Sequence, residues 1–326
     1  MNGLSIPEQD VYRFVADATK AVYEEWNGIV AGNRAGIVEK FGSMEIFLRH
    51  CRIHASVTDA ASINGFMLYV PCGKHSDKPL LIRSSGGNNL IYIASGGVAD
   101  VLVYDSNEED ATTIRLDEAA SLHMVRLQQG GQKSVSTHIK AWQASSSRMS
   151  VHCVTFGNVR NTLDATLAGK DAEHVVRGLT FTKEAEHAAN HVDITHASPE
   201  CSSNQLFRHI LSGTSTGDFT GRIVVSANAQ KTTAYQRSSN ILLHPETKMN
   251  ITPQLEIYAD DVKCSHGATV GQLDAEAVFY LRSRGIGEAE ARKILLQALA
   301  EELLKDIASP AVKQRILQHL QIMKYK

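Results

Sequence analysis

The sequence predicts a mainly β protein with helical segments at both ends. Over roughly residues 62–270, short apolar or alternating runs follow one another, bounded by Gly, Asn, Asp or Ser, which is typical of many short strands. Convincing helical periodicity is nearly absent from this region and returns on either side of it. These observations restrict the central region to a sandwich, a barrel or a stacked solenoid.

The predicted central strands are short and are separated by turns. A turn that ends in alanine recurs between them at Ala99, Ala120, Ala144 and Ala172. Intervals of this size are typical of stacked repeat units, although their irregularity favours a solenoid only modestly over a sandwich. The clearest strand predictions are Met67–Val70, Leu80–Ile82, Leu90–Ile93, Val101–Tyr104, Thr113–Leu116, Val135–Ile139, Ile223–Val225 and Leu255–Ile257.

Residues 1–61 are predicted to form a helical region. Pro7 follows a possible cap at Ser5, and apolar residues then recur at helical spacing from Val11 to Trp26. A second helical stretch is expected near Ile37–Ile53, where Gly42 and Ser43 divide it into two pieces.

Residues 271–326 are predicted to form a second helical region. Asp274 is a good N-cap for a first helix, which Gly285 and Gly287 end. Glu288 begins a longer helix, and Pro310 begins a third at the N1 position after Ser309. These amphipathic helices are expected to cap the β region or to bind a partner.

The composition excludes several classes of function. The net charge of −2 and the pI near 6.7 provide no general attraction to nucleic acid or to an anionic membrane. Five scattered cysteines without paired spacing, and an N-terminus without a secretory pattern, predict a protein of the reducing cytoplasm with free thiols. The Gly-rich run at Ser95–Ala99 lacks a phosphate-loop motif, so we expect no nucleotide bound by this chain.

The segment from Pro253 to Gly287 carries the strongest candidate site. Val262, Cys264 and His266 alternate onto one face of a short strand after a turn at Asp260 and Asp261. Thiolate and imidazole suit iron–sulfur species, zinc or copper, but a complete site normally needs four ligands and this strand offers two. The rest must come from elsewhere in the fold or from another chain. The alternative is a half-buried cysteine with a hydrogen-bonded histidine nearby.

Other candidate residues have simpler interpretations. His187, His191 and His196 could bind a metal, although solvated or hydrogen-bonded histidines are the commoner case. Cys201 is expected to be structural, and Cys51, Cys72 and Cys153 are expected to pack as small apolar residues.

The segment as a whole resembles the C-terminal signature of the SufB/SufD family of iron–sulfur cluster assembly proteins. The resemblance lies in DDVKCSHGATVGQLD, which is typical of SufD, and continues into FYLRSRGI from Phe279 to Ile286. Upstream, Gly221–Thr247 and Asn190–Leu211 resemble preceding parts of the family. The resemblance implies a right-handed parallel β-helix flanked by helical domains.

Two departures from SufB point to the SufD type. SufB carries Glu-His-Glu-Ala where this chain has Cys264-Ser265-His266-Gly267. SufB also carries a cluster-scaffold cysteine one coil earlier, where this chain has Ser238, Ser239 and Asn240.

The resemblance further implies a non-catalytic subunit that pairs with a SufB-like relative on two copies of the SufC ATPase. Cys264 and His266 would handle iron or a transient iron–sulfur cluster shared with that relative. Five residues of the C-terminal helical region resemble the family element that binds SufC. They are Phe279, Tyr280, Arg282, Arg284 and Gly285. An imidazole beside Cys264 is expected to lower the pKa of its thiol. The chain could also pair with itself when the relative is absent.

Two other functions remain open from the residues alone. A purely structural interaction solenoid would use Cys264 and His266 only for packing. A β-helix carbohydrate-active enzyme would need separated carboxylates in a groove, and the best acidic cluster is Glu256, Asp260 and Asp261, of which the two aspartates look like turn formers.

Overall fold

A computed structural model describes residues 13–15, 21–51, 53, 62–76, 79–84, 86–105, 109–307 and 309–322. Its centre is a parallel β-solenoid, as predicted. We call each turn, made of one strand from each of two sheets, a coil. None of the helices in these residues combines the length and hydropathy needed to span a membrane.

The described strands are longer than predicted, and from β4 onward they alternate along the chain between the two sheets. Five helices flank them in these residues: α1 (Arg34–Phe41), α2 (Met44–His50), α3 (Ala275–Ser283), α4 (Glu288–Leu304) and α5 (Pro310–Ile322). In chain order the strands are β1 (Arg13–Val15), β2 (Tyr23–Trp26), β3 (Ile29–Asn33), β4 (Phe66–Val70), β5 (Leu80–Ser84), β6 (Gly87–Ile93), β7 (Val98–Asp105), β8 (Asp110–Leu116), β9 (Ser121–Gln129), β10 (Val135–Gln143), β11 (Arg148–Phe156), β12 (Val159–Leu167), β13 (Glu173–Thr182), β14 (His187–His196), β15 (Ser202–Leu211), β16 (Thr216–Val225), β17 (Thr232–Leu242), β18 (Lys248–Ile257) and β19 (Val262–Gly271).

Two sheets run along the solenoid on opposite sides of its interior. The first has the order β1-β5-β7-β9-β11-β13-β15-β17-β19, and all of its described pairings are parallel. The second has the order β18-β16-β14-β12-β10-β8-β6-β4-β3-β2 and is parallel except at β2 and β3. Strands β18 and β19 are therefore the last strands at the C-terminal end of each sheet.

The register explains why the sequence repeat is weak. Ser121 pairs with Val98 on one side and with Arg148 on the other, and the second step along the chain is longer than the first. Further along, the step from Ser202 to its partner Thr233 is longer still. Coils of unequal length carry no fixed period that a sequence search could find.

The predicted alanine rhythm is only half right. Ala120 and Ala172 each precede the first residue of a strand in the first sheet, at equivalent positions of their coils. Ala99 lies inside β7, and Ala144 follows β10 at a different corner. Small residues are favoured at several corners, so alanine alone does not mark a single coil position.

The helix predicted from Val11 to Trp26 is wrong where the structure describes this segment. Residues 13–15 form β1, and Tyr23–Trp26 and Ile29–Asn33 form an antiparallel hairpin. Asn27 and Gly28, with φ of 51° and 80°, make its two-residue turn. Asn-Gly between apolar runs is the strongest short hairpin signal, and it outweighs the helical spacing here. Ser5, Pro7 and Val11 lie outside the described residues.

The second predicted helical stretch is confirmed as two short helices. Asn33 caps α1 by accepting a hydrogen bond from Gly36 N at 3.0 Å, and the same oxygen also accepts from Val22 N, just before β2, at 3.1 Å. Ser43 caps α2, as its side chain accepts from Ile46 N at 3.2 Å. The helices bury an apolar cluster, including Phe47, against the outward-facing side chains of β4 and β6 near the N-terminal end of the second sheet.

The interior of the solenoid holds apolar side chains from alternate positions of every strand. The packing is tight enough that some positions accept only glycine. A Cβ on Gly178 would lie 2.2 Å from the ring of Phe207 in the next coil, so only glycine fits beneath that ring. Phe207 in turn contacts Phe219 of the opposite sheet at a centroid distance of 4.8 Å.

A row of buried polar side chains runs along the same interior. His209 places Nδ1 2.8 Å from Oδ1 of Asn240 and Nε2 2.8 Å from Nδ2 of Asn190, so its neutral ring donates to one amide and accepts from the other. Side chains of successive coils thus satisfy one another. The hydrogen-bonded row runs through Thr137, Asn161, Asn190, His209 and Asn240 to the backbone carbonyl of Thr269.

The C-terminal helices begin where the sequence predicts. Asp274 caps α3 by accepting from the backbone of Glu276 and Ala277, and Ser309 accepts from Val312 N at 3.3 Å in α5. Helices α4 and α5 pack their apolar side chains on the outer face of the first sheet. Arg208 of β15 donates to the carbonyl of Leu299 at 2.6 Å and to Glu302 at 2.9 Å, which fixes α4 in place.

The buried histidines predict that acid destabilises the fold. Burial lowers the pKa of His174 to about 3 and those of His196 and His209 to about 4, whereas an unfolded histidine titrates near 6.5. Below pH 6.5 the unfolded chain binds protons that the folded chain excludes, so stability is fully present above that pH and falls as the pH drops toward 4. Each such histidine costs up to about 1.4 kcal/mol per pH unit. Urea unfolding at pH 7.0 and 5.5 would measure this loss. An unchanged free energy of unfolding would contradict it.

Candidate functional site

The predicted site residues lie on the final coil of the solenoid. Cys264 and His266 both belong to β19, which pairs with β17 on one side, and they align with Ala234 and Gln236 of that strand. Since Ala234 and Gln236 point into the interior, Cys264 and His266 project from its open end. Cys264 is half-buried against the last apolar cluster, and His266 is exposed.

The expected activation of the Cys264 thiol is wrong. Partial burial raises the pKa of Cys264, and this outweighs the lowering effect of a backbone hydrogen bond with Ala234. His266 lies two residues along the strand, about 6.5–7 Å away by strand geometry, and does not contribute to the shift. The thiol of the isolated chain is therefore protonated at neutral pH.

Among the residues that the structure describes, Cys264 and His266 belong to no larger group of potential ligands. Within the described residues, the one group of three or more His, Cys, Asp or Glu side chains with ligand atoms in mutual reach lies elsewhere and includes neither residue. Two ligands do not complete a structural zinc site or a cluster site. A complete site would therefore need ligands beyond these two side chains.

A cleft of about 530 Å³ opens beside His266. It is lined on one side by Ser265, His266 and Thr269 of β19, and on the other by Tyr235 and two guanidinium groups, those of Arg177 and Arg237. Arg177 is 3.9 Å from Asp306, in the turn between α4 and α5. The cleft therefore combines an imidazole with cationic groups, an arrangement that favours anionic ligands.

The residues predicted to bind a partner lie on α3 and on the turn that follows it. Phe279 and Tyr280 are 73% and 57% exposed, although both are large apolar side chains. Arg284 places its guanidinium 5.3 Å from the centre of the Tyr280 ring, and Arg282 pairs with Glu288 at 3.3 Å. Gly285 has φ of +87°, a conformation that other residues adopt only with strain.

A second cleft, of about 420 Å³, lies against the same helix. Its walls come from the end of β17, from α3 and from the start of α4, and include Leu243, Leu273, Val278 and Phe279. Val278 is buried and anchors α3 to the solenoid, while Phe279 faces the cleft with most of its ring exposed. An exposed aromatic side chain beside an apolar cleft is typical of a protein-binding surface.

The remaining cysteines follow the predictions with one exception. Cys51 and Cys201 are buried, and the thiol of Cys201 donates to the carbonyl of Gly169 at 3.2 Å, which supports a structural role. Cys153 packs against the interior apolar cluster. Cys72 is exposed, so the prediction that it packs as an apolar residue is wrong.

The three neighbouring histidines do not form one group. His187 and His191 point outward from β14, whereas His196 is fully buried inside the solenoid and bonds to Ser203 Oγ at 2.8 Å. The odd separation from His191 to His196 places them on opposite faces of a strand. A strand prediction through residues 187–196 would have revealed this from the sequence.

Comparison with known proteins identifies the family. Residues 85–299 match the family model described as SUF system FeS cluster assembly, SufBD core domain. The chain belongs to the SufBD family. The match covers most of the solenoid together with β19, α3 and most of α4.

Individual members of the SufBD family support the same assignment and the SufD type. The chain is 30% identical over 238 residues to the iron–sulfur cluster assembly protein SufD of Escherichia coli, a match that covers 70% of this chain and 56% of that protein. It is 32% identical over 206 residues to a SufBD family protein of Synechocystis, covering 58% of this chain and 45% of the relative. The chain therefore matches about half the length of these relatives.

The positions from which the SufD type was inferred lie on the last two coils. Ser238 and Asn240 point into the interior and are buried, while Ser239 lies between them on the outer side. Ser238 pairs with Ala268, so it lies further along β17 than Ala234, the partner of Cys264. None of these three positions carries a thiol, which leaves Cys264 as the cysteine of this end of the solenoid.

The raised pKa of Cys264 predicts slow alkylation. Thiolates are the reacting species, and each unit of raised pKa lowers the thiolate fraction about tenfold at neutral pH. At pH 7.5, iodoacetamide should modify exposed Cys72 faster than half-buried Cys264, with Cys51 and Cys201 slower still. Peptide mass spectrometry at timed intervals measures these rates. Faster modification of Cys264 than of Cys72 would show a stabilised thiolate and contradict the interpretation.

Proposed function

We propose that the chain is a non-catalytic subunit of a SufBCD complex and contributes to iron or nascent-cluster handling where it meets a SufB-like relative. The observation that carries this proposal is the open final coil, which presents Cys264 and His266 with an incomplete ligand set. A related chain at this end would supply the missing ligands. The cluster is cargo of the complex and is shared between the two chains.

The final coil favours contact with another β-solenoid. Strands β18 and β19 each leave a long edge without a neighbour among the described residues. An uncovered edge strand pairs readily with a strand of another chain. Pro253 removes one backbone donor from β18, whereas β19 contains no proline, so β19 is the better edge for continuous pairing.

Apolar side chains extend the same surface. Ile257 and Tyr258 at the end of β18 are 40% and 64% exposed, and Val270 of β19 is 48% exposed. Together with Cys264 they form a partly apolar end face around the opening of the solenoid. Burial of such a face in a complex is favourable, and a second copy of this chain could occupy it when the relative is absent.

The chemistry at this interface follows from the protonated thiol. A metal ion or cluster binds the thiolate, so loading releases the proton of Cys264. Burial by the partner would exclude water from the site and so strengthen the electrostatic interactions of the bound ion or cluster. The isolated chain would consequently hold iron weakly, and the assembled pair would hold it well.

The surface around Phe279 and Tyr280 is proposed to bind a SufC-like ATPase. ATP hydrolysis would belong to that partner. Contact at α3 would reach the solenoid through α4, which Arg208 fixes to β15. All five cysteines are thiols rather than disulfides, which favours the reducing cytoplasm as the location.

The alternative of a purely structural solenoid shares this interface but assigns no chemistry to it. The carbohydrate-active enzyme is not supported, because Glu256 forms an ion pair with Arg222 and the family match is to an assembly protein. The backbone of Asp261 takes part in a corner turn, where its N–H donates to Oε1 of Gln230.

Replacement of His266 tests the site directly. In the complex co-expressed with SufB and SufC, His266→Ala should lower the cluster yield after reconstitution, because it removes one ligand of the shared site. Visible absorbance and iron content measure the yield, and size-exclusion chromatography measures assembly. The matched control is Ser265→Ala, which removes a neighbouring side chain that points to the outer face. An equal yield from both variants would favour the purely structural solenoid.

Replacement of Phe279 tests the partner surface. Phe279→Ala should weaken binding of the SufC-like ATPase by about 2 kcal/mol, roughly thirtyfold, as expected for a central aromatic residue of an interface. Ile46→Ala is the control, since Ile46 is another exposed apolar side chain on a helix, at 54% exposure. Calorimetric titration measures both affinities. Equal affinities would place the ATPase contact elsewhere.

A further inference from the structure

A second group of potential ligands lies on the outer face of the second sheet. It consists of Asp164 on β12 and of His191 and Asp193 on β14, whose ligand atoms all lie within 4.8 Å of one another. The register explains the grouping, because Asp164 pairs with Asp193 and Thr162 pairs with His191. Three side chains on two adjacent, fully paired strands are thus placed by the backbone rather than by a loop.

Both carboxylates are held by side chains of the flanking strands. His138 of β10 places Nε2 2.7 Å from Oδ2 of Asp164. Arg222 of β16 donates through Nε to Oδ2 of Asp193 at 2.8 Å, and a second nitrogen of its guanidinium contacts the same oxygen. Ligands of metal sites are commonly oriented in this way by hydrogen bonds from a surrounding layer of residues.

The two carboxylates of the group provide the negative charge that a cation site needs. Cationic residues of the same outer face are Arg222, Lys140, which pairs in register with Asp164, and Arg160, which lies on β12 with Asp164. Glu256 lies 3.4 Å from Arg222 on the far side and offsets part of its charge. Asp193 is mostly buried, with its side chain 15% exposed, so its charge is less screened by water than that of a surface residue.

We propose that Asp164, His191 and Asp193 form a binding site for one divalent first-row transition ion. One imidazole and two carboxylates suit Mn²⁺, Fe²⁺ or Zn²⁺, whereas Ca²⁺ takes six to eight oxygen ligands. Three protein ligands leave the remaining coordination positions to water. His138 and Arg222 act as positioning residues that hold the two carboxylates.

This site is separate from the one at the end of the solenoid. It lies on the outer face of the second sheet, whereas Cys264 and His266 face the interior from the first sheet. It contains no thiol. Mn²⁺ is therefore a suitable probe, because it prefers carboxylate, imidazole and water, while thiolates select softer ions.

The test is binding of Mn²⁺ to the full chain, measured by the loss of the electron paramagnetic resonance signal of the free ion. Wild type should bind one ion per chain, and His191→Ala and Asp164→Asn should abolish this binding. His138→Ala should weaken it by roughly tenfold to a hundredfold. The matched control is His187→Ala, which removes the other outward imidazole of β14, 3.3 Å from Asp218. It should bind Mn²⁺ as wild type does.

Two further outcomes decide the proposal. Failure of wild type to bind Mn²⁺, or equal binding by His191→Ala and His187→Ala in chains with unchanged circular dichroism, would overturn it. The double variant Cys264→Ser, His266→Ala should retain the ion, because the proposed interface site takes no part. Loss of Mn²⁺ from that variant would place the ion at the end of the solenoid instead and would also overturn the proposal.

Discussion

Each coil of this protein satisfies its backbone and buries its inner side chains only through the coils on either side. Within the described part of the chain, every central coil has a neighbour on both sides, whereas the first and last coils each have a neighbour on one side only. At the N-terminal end the Asn27–Gly28 hairpin reverses the chain and two capped helices cover the apolar cluster. At the C-terminal end the described residues leave β18 and β19 uncovered. The candidate interface lies at this C-terminal end, where both strands expose an edge.

The interior also shows how a solenoid accommodates polar side chains. The amides of Asn161, Asn190 and Asn240 pair from coil to coil, with His209 between two of them. Each coil thereby satisfies polar groups of the next, and the register cannot slip without leaving them unpaired. Because the row ends at the backbone of Thr269, it also fixes β19 and with it the side chains around the opening.

Much of the architecture could be predicted from the sequence, and the failures have identifiable physical causes. Short strands bounded by Gly and Asn, together with caps such as Asp274, gave correct elements because these signals are local. The hairpin at Asn27–Gly28 replaces the predicted helix because turn chemistry outweighs apolar spacing in this segment. Coils of unequal length hid the repeat, as the pairings of Ser121 and Ser202 demonstrate.

Predictions about the candidate site were likewise partly correct and partly wrong. The resemblance identified Cys264 and His266, and strand alternation placed both on one face, as found. The pKa of Cys264 was predicted in the wrong direction, because burial depends on packing that the sequence does not display. The grouping of Asp164 with Asp193 was also invisible, since residues so far apart in the sequence become neighbours only through the register.

Helix α4 affects the order in which the coils unfold. A solenoid held together only by adjacent coils would fray one coil at a time. Side chains of β11, β13 and β15 each reach the segment that includes α4 and the turn after it, through His152 to Leu303, Arg177 to Asp306 and Arg208 to Leu299. These contacts link the middle coils through one helix, so the middle coils are expected to unfold together. The final coil takes part in none of these three contacts and is expected to unfold first.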